Sequence, residues 1–231
     1  MSVSRLETAA SMALAVAALV LAGSFAHREF SEGTVPQGGQ PPVMSLVYEP
    51  QWQELLKAGV QRGEPSATIQ LIEFADFECP FCRKFSTVAD AIETKYEGRI
   101  RRTFIHLPLS NHRFAYPAAR VAECAREQGQ FWKTHDALFA KQDSLGVKSW
   151  TSYARDGEVS DLLRFDRCAA DTTKVANLER DLRIREDFRV TMTPTVIVNG
   201  WRFTLPPSDS VLARTIDQIL GGQKPSLRND E

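Results

Sequence analysis

Cys79 and Cys82, three positions apart in "FADFECPFCRKF", are the side chains of this sequence best placed to do chemistry together. A pair at that spacing can exchange disulfides. One thiolate attacks a disulfide, and the second, about a helical turn away, resolves the mixed disulfide or closes an internal one. The same spacing has two other uses. It is half of a zinc site, but Cys124 and Cys168 stand alone, and neither a second close cysteine pair nor two histidines at ligand spacing supply the other half. A purely structural bridge there closes a very small loop and stabilises little. Redox exchange is what the spacing favours.

The neighbouring residues predict how the pair is held. "ATIQLIEF" packs Ile69, Leu71, Ile72 and Phe74 into eight residues, the density of a strand covered on both faces. After it, Phe81, Phe85, Val88, Ile92 and Tyr96 recur every three to four positions, an amphipathic helix that starts at the cysteines. Pro80 suits the first turn, where its missing N–H has no partner to lose. Cys79 is therefore expected at a helix N-terminus, where unpaired N–H groups and the helix dipole lower a thiol below its free pKa of about 8.5. Strict alternation puts Glu73 on the face of Ile69 and Leu71, where desolvation raises a carboxyl pKa and lets it take and return the Cys82 proton. The alternative is a solvated strand glutamate.

The order of the remaining elements extends this. "RIRRTFIHLPL" predicts a second strand through Phe104, Ile105 and Leu107, with the helix as crossover. Late in the chain, "TMTPTVIVNGWRF" gives Val196 to Val198, then Asn199-Gly200, then Trp201 to Phe203, a strong hairpin signal. "SDSVLARTIDQILGG" closes as a helix capped near Ser208 and stopped at Gly221. Strand, helix, strand, then hairpin and helix is the thioredoxin arrangement. Between the halves, roughly Ala115 to Phe188, apolar spacing repeats at helical period over a stretch too long for a connection, so an inserted helical subdomain is expected.

Composition bounds the rest. The 231 residues carry a net charge of −1, which gives no electrostatic reason to expect a nucleic-acid partner. Residues 8–26 hold no charged side chain, and at about 1.5 Å per residue they cover roughly 28 Å, close to a bilayer's hydrocarbon core. Ser24 and Ala26 fit a cleaved signal peptide, whereas the length fits a retained anchor; either exports the rest. The reading is an α/β thioredoxin fold with an inserted helical subdomain, preceded by an N-terminal hydrophobic helix. Its segments are a signal peptide or anchor at 1–30, a flexible linker at 31–45, a thioredoxin-like domain from 46–111 and 189–221, the insertion at 112–188 and a tail at 222–231. "EPQWQELLKAG" predicts an early helix with Trp52, Leu55 and Leu56 on one face and Gly59 as its stop.

A strand ending in Glu73-Phe74, then "CPFC", a second strand, "ECAREQGQFWKTHDALF" in the insertion and "TMTPTVIVNG" near the end resemble the DsbA-like thiol:disulfide oxidoreductases of the thioredoxin superfamily, over about Ala67 to Leu220. The resemblance implies that Cys79 attacks and Cys82 resolves. It implies a cis peptide at Thr193-Pro194 facing them, with Thr193, Pro194 and Phe81 binding an extended substrate segment; a trans proline opening an edge strand is the alternative. Glu73 matches the offset of the family's buried acid, six positions before the first cysteine. Relatives often bond the two further cysteines, here Cys124 and Cys168; otherwise these are small buried apolar residues. His106, His112 and His135 read as core or rim residues rather than ligands, and no metal or cofactor is implied. Partners are unfolded or thiol-bearing exported proteins and a membrane redox partner that recycles the pair. Strongly oxidising relatives carry histidine where Phe81 stands, so two directions remain, oxidation of substrate thiols or reduction and isomerisation. A tethered chaperone with idle cysteines is the reading from another class.

Overall fold

The computed structural model describes residues 43–173 and 175–227. The expected N-terminal hydrophobic helix lies outside the described residues, as does most of the linker. The body that begins at Met44 is built on a six-stranded mixed sheet. Its strands are β1 (Leu46–Tyr48), β2 (Val60–Arg62), β3 (Ile69–Ala75), β4 (Ile100–His106), β5 (Thr195–Val198) and β6 (Trp201–Phe203), in the spatial order β1-β6-β5-β3-β4-β2. β3 and β4 run parallel, joined by α1 (Pro80–Lys95), and the other pairings are antiparallel. A parallel neighbour needs a crossover, and α1 supplies it.

Alternation divides the sheet's residues between two cores. Ile69 and Leu71 of β3, Ile100 of β4, and Val196 and Val198 of β5 pack against α1 and the closing helix α7 (Asp209–Leu220) through Phe85, Ala89, Ile92, Leu212 and Ile216. Ile72, Phe74, Ile105 and Ile197 face the other way and meet Leu55, Ala58 and Val190. α7 is capped by Ser208, whose Oγ accepts from the Val211 N–H, and ends at Gly221 as the sequence predicts. The Asn199-Gly200 hairpin also forms. Both residues have positive φ (45° and 88°), the twist that a two-residue turn requires and that glycine supplies at no steric cost. Asn199 adds to the turn by accepting from the Gln70 N–H and donating to the Thr68 carbonyl.

The early segment corrects one expectation. Trp52–Lys57 is a 3-10 helix rather than an α-helix, and it sits between two short strands that the apolar pattern does not announce. Gly59 stops it at φ +62°, where a Cβ would lie 2.2 Å from the Phe104 carbonyl oxygen. The chain turns there at once into β2 to pair with β4, leaving no room for further helical turns.

Five helices lie between β4 and β5: α2 (Ala115–Arg126), α3 (Phe131–Ala140), α4 (Trp150–Asp156), α5 (Leu162–Ala170) and α6 (Ala176–Asp187). Their shared core of Val121, Phe131, Leu138, Phe139, Tyr153 and Phe165 is continuous with Phe77, Phe104, Cys79 and Cys82 of the sheet unit. Helical packing thus closes over the strand ends that carry the thiols.

Candidate active site

Cys79 is the N-cap of α1, with extended backbone (φ −74°, ψ 119°), and Pro80 opens the first turn. Its carbonyl accepts the Cys82 and Arg83 N–H groups at 3.1 and 3.2 Å, which closes the first turn and sets the thiol at the positive end of the helix. Both thiols are free and buried, Cys79 to 4% exposure and Cys82 to 1%. Their environments push them apart. A hydrogen bond from Cys82, opposed by partial burial and helped by the Thr193 hydroxyl and the N–H groups of Cys82 and Phe81, lowers the Cys79 thiol to about 5. Burial pushes Cys82 well above its ordinary value, and proximity to Cys79 adds to that. One sulfur is thus a ready thiolate at neutral pH while the other keeps its proton.

The Thr193-Pro194 peptide is cis, and the Cys79 thiol donates to the Thr193 carbonyl at 3.5 Å. The sequence expectation that this loop faces the cysteines therefore holds in the structure. Phe81, two residues after Cys79, and Met192, next to Thr193, have 65% and 51% of their surface exposed, apolar side chains available close to the thiol in sequence. A cavity of about 270 Å³ is lined by Met192 and Thr195, on either side of the Thr193-Pro194 peptide, together with Val47, Glu49, Arg202 and Phe203.

Glu73 is buried as alternation predicts, at 1% exposure, but its described partner is Arg102. The Arg102 guanidinium donates to Glu73 Oε1 through Nε at 3.2 Å and Nη2 at 2.7 Å, and its Nη1 reaches Asp90 of α1 at 3.0 Å. Burial still raises the Glu73 pKa, against the pull of Arg102. The hydrogen bond to the Cys82 sulfur comes instead from the Asp76 backbone N–H, at 3.4 Å. Arg102 was legible: alternation in "IRRTF" puts it on one face with Ile100 and Phe104.

Three further side chains, none singled out from the sequence, hold the loop before Cys79. The Asp76 carboxylate accepts from the Glu78 and Leu109 N–H groups and lies 2.7 Å from His112 Nδ1. Glu78 accepts from the Phe114 N–H. Gln142 reaches in from the helical insertion. Their partners lie more than 30 positions away except for Asp76 to Glu78, which is why local pattern misses them. His106 pairs with Glu123, and His135 is buried among Phe77, Phe104 and Phe139 beside Asp136, where burial lowers it to about 4. Both are core residues. Among the described residues no group of three or more potential ligands could hold a metal. Cys124 of α2 and Cys168 of α5 are disulfide-bonded, with Cα atoms 5.8 Å apart. The cavity of about 460 Å³ beside that bond, lined by Arg120, Glu123, Arg126 and Asn177, shares no residue with the thiol site.

Comparison with known proteins follows the same lines. The family described as Thioredoxin matches residues 56–218. The oxidised BdbD of Bacillus subtilis superposes with a TM-score of 0.65 at 21% identity, over 72% of this chain and 95% of that one. DsbA2 of Pseudomonas aeruginosa gives 0.57 at 26% identity, over 69% and 92%. Among curated sequences, the Na(+)/H(+) antiporter NhaA 3 of Salinispora tropica is 33% identical over 178 residues, 73% of this chain but 27% of that protein. The chain thus spans about a quarter of the length of the curated relatives it matches. On the family match and the structural neighbours together, the chain belongs to the thioredoxin superfamily as a DsbA-like member.

Proposed function

We propose that this protein is an exported thiol:disulfide oxidoreductase that oxidises the thiols of other proteins through Cys79 and Cys82. The observation that carries the reading is the asymmetry of the two sulfurs, a stabilised thiolate at a helix N-terminus beside a buried thiol that keeps its proton.

The reaction starts from the Cys79–Cys82 disulfide. A substrate thiolate attacks Cys79 Sγ, forming a mixed disulfide and releasing Cys82, which takes up a proton. A second substrate thiolate then attacks the substrate sulfur of that bond. The substrate disulfide forms, Cys79 leaves as thiolate, and two electrons have passed to the pair. A low pKa makes Cys79 a good leaving group in this last step and favours the reduced pair, the state an oxidant must end in. Thr193, next to Pro194, offers backbone groups to an extended substrate segment, and Phe81 provides apolar contact. Glu73, the candidate proton relay for Cys82, makes no described hydrogen bond to that sulfur, and its Oε1 accepts both bonds from Arg102.

Residues 8–26 export the domain, as signal or anchor, to a compartment where its partners are thiol-bearing proteins and a membrane protein that withdraws the two electrons. Among the described residues no helix is long and apolar enough to cross a membrane, and ion transport forms no part of this reading. Phe81, which offers no hydrogen bond, favours the second reading, a reductase or isomerase of the same fold.

The deciding measurement is the reduction potential of the pair against glutathione. A value from roughly −120 to −180 mV marks a disulfide donor, and one near −250 mV or below replaces oxidation with reduction. Cys79→Ser abolishes exchange, while Cys82→Ser accumulates mixed disulfides with substrate. Exchange activity that survives Cys79→Ser removes Cys79 from the role of attacking thiol.

A further inference from the structure

Gln142 opens a single 3-10 turn, Gln142–Ser144, directly after α3, and it is 7% exposed. Its Nε2 donates twice, to the Phe77 carbonyl at 2.7 Å and to the Cys79 carbonyl at 3.0 Å. These two peptide groups bracket Glu78 and lead into the nucleophile. The Cys79 carbonyl is also where the first turn of α1 closes. The next residue, Asp143, pairs with Arg83 at 2.8 Å on the exposed side. One turn of the insertion therefore grips the chain just before and just after the thiol pair.

The chemistry of that grip is specific. The Cys79 carbonyl also accepts the Cys82 and Arg83 N–H groups, whereas the donor described for the Phe77 carbonyl is Gln142, and leaving that buried oxygen unmet costs about 1–3 kcal/mol. A planar amide meets both carbonyls from one atom and carries no net charge that would compete with a thiolate nearby. Fixing the two carbonyls fixes the Phe77–Glu78 peptide upstream of Cys79 and the Cys79–Pro80 peptide after it, while the Cys79 N–H donates to the Asp76 carbonyl at 3.1 Å; together these set the direction of the Cys79 side chain at the helix N-terminus.

We propose that Gln142 is a positioning residue for the nucleophile: through the Phe77 and Cys79 carbonyls it holds Cys79 Sγ against the α1 N-terminus, so that the helical insertion sets the reactivity of the thiol. This rests on the exchange reading for its biological meaning and on geometry alone for its physical effect. A residue that only staples a loop would alter stability and leave Cys79 chemistry as it was.

The test uses the full chain, reduced at Cys79 and Cys82, with Gln142→Met, which keeps the packing and removes both donors, and Gln142→Asn, which keeps the amide one methylene short. The readout is the pH profile of Cys79 alkylation by iodoacetamide; Cys82 keeps its proton over this range and Cys124–Cys168 is bonded, so neither competes. The titratable and charged groups around the loop, Asp76 with its partner His112, Glu78, Arg83 and Asp143, are retained in both variants. Gln142→Met is expected to move the midpoint up from about 5 by about one unit, a tenfold fall in the ionisation constant, with Gln142→Asn between it and the parent. An unmoved midpoint in a folded Gln142→Met protein overturns the proposal, and if that variant does not fold, an unmoved midpoint in Gln142→Asn does the same. A parent protein that exchanges no disulfides defeats the functional reading while leaving this shift to be scored on its own.

Discussion

Cys79 and Thr193 decide at the scale of single residues how reactive the site is. A free thiol near 8.5 would be mostly protonated at neutral pH, whereas the Cys79 thiol at about 5 is mostly ionised. Alkylation of the reduced protein should therefore titrate with a midpoint near 5, and a midpoint near 8 would contradict the described geometry. The same shift has a consequence for stability. The folded pKa lies below the unfolded one, so the thiolate stabilises the folded reduced form fully above about pH 8.5, and that gain is lost as pH falls toward 5. The melting advantage of the reduced over the oxidised protein should shrink on acidification from pH 8 to 5; an advantage that grows would reverse the sign and the argument. Thr193 carries part of the effect. Its hydroxyl is buried with no protein partner in hydrogen-bond geometry, and its proximity to the Cys79 sulfur favours the thiolate. Hydrogen bonds to charged groups are worth about 1.5–3 kcal/mol, so Thr193→Val should raise the alkylation midpoint by about one to two units while leaving the hydrogen bond from Cys79 to the carbonyl in place.

At the scale of elements, α1 is joined to the sheet by charge as well as by apolar packing. Arg102 of β4 is fully buried between Glu73 of β3 and Asp90 and Glu93 of α1, and its guanidinium lies 5.4 Å from the Trp132 ring of α3. Removing one member of a buried pair leaves the other uncompensated, at a cost of about 3–5 kcal/mol. Arg102→Met should lower the denaturant midpoint accordingly, and the loss should be smaller at pH 5 than at pH 8. The reason is that an uncompensated buried Glu73 has its folded pKa above the unfolded one, so folding takes up a proton and is penalised as pH rises. Equal losses at both pH values would mean that Glu73 is already neutral beside Arg102. Much of this level was legible in the sequence. β3 and β4 announce themselves by dense apolar runs, α1 by apolar residues at helical period, and the hairpin by Asn199-Gly200 between two apolar runs. β1 and β2 do not, because three residues are too few to show alternation and their place is set by partners far along the chain, Phe203 for Leu46 and Phe104 for Val60. For the site, spacing found Cys79 and Cys82, and resemblance found Thr193-Pro194. Gln142 escaped both, since it acts on residues 63 and 65 positions away.

Across the molecule, the thiols are where two cores meet. Phe77 and Phe104 of the sheet unit stack at 5.1 Å and touch Phe139 of the insertion, so the nucleophile's floor belongs to both parts at once. An insertion in that position has to be rigid if it is to hold Gln142 in place, and the Cys124–Cys168 bond is the covalent tie between α2 and α5 within it. The bond spans 44 positions. A closed loop of that size removes enough entropy from the unfolded chain to stabilise the fold by about 4 kcal/mol, on the loop-closure view of disulfides. Cys124→Ala with Cys168→Ala should therefore cost up to that amount in equilibrium denaturation. The two sulfurs have no described contact with Cys79, so a purely entropic bond predicts an unchanged alkylation midpoint in the same double variant. If the midpoint rises together with the loss of stability, the bond is also holding α3 and its following turn in register, and the insertion passes its own redox state to the thiol site. If it does not, the fold separates the two tasks: one disulfide for endurance, and one dithiol, left free, for exchange.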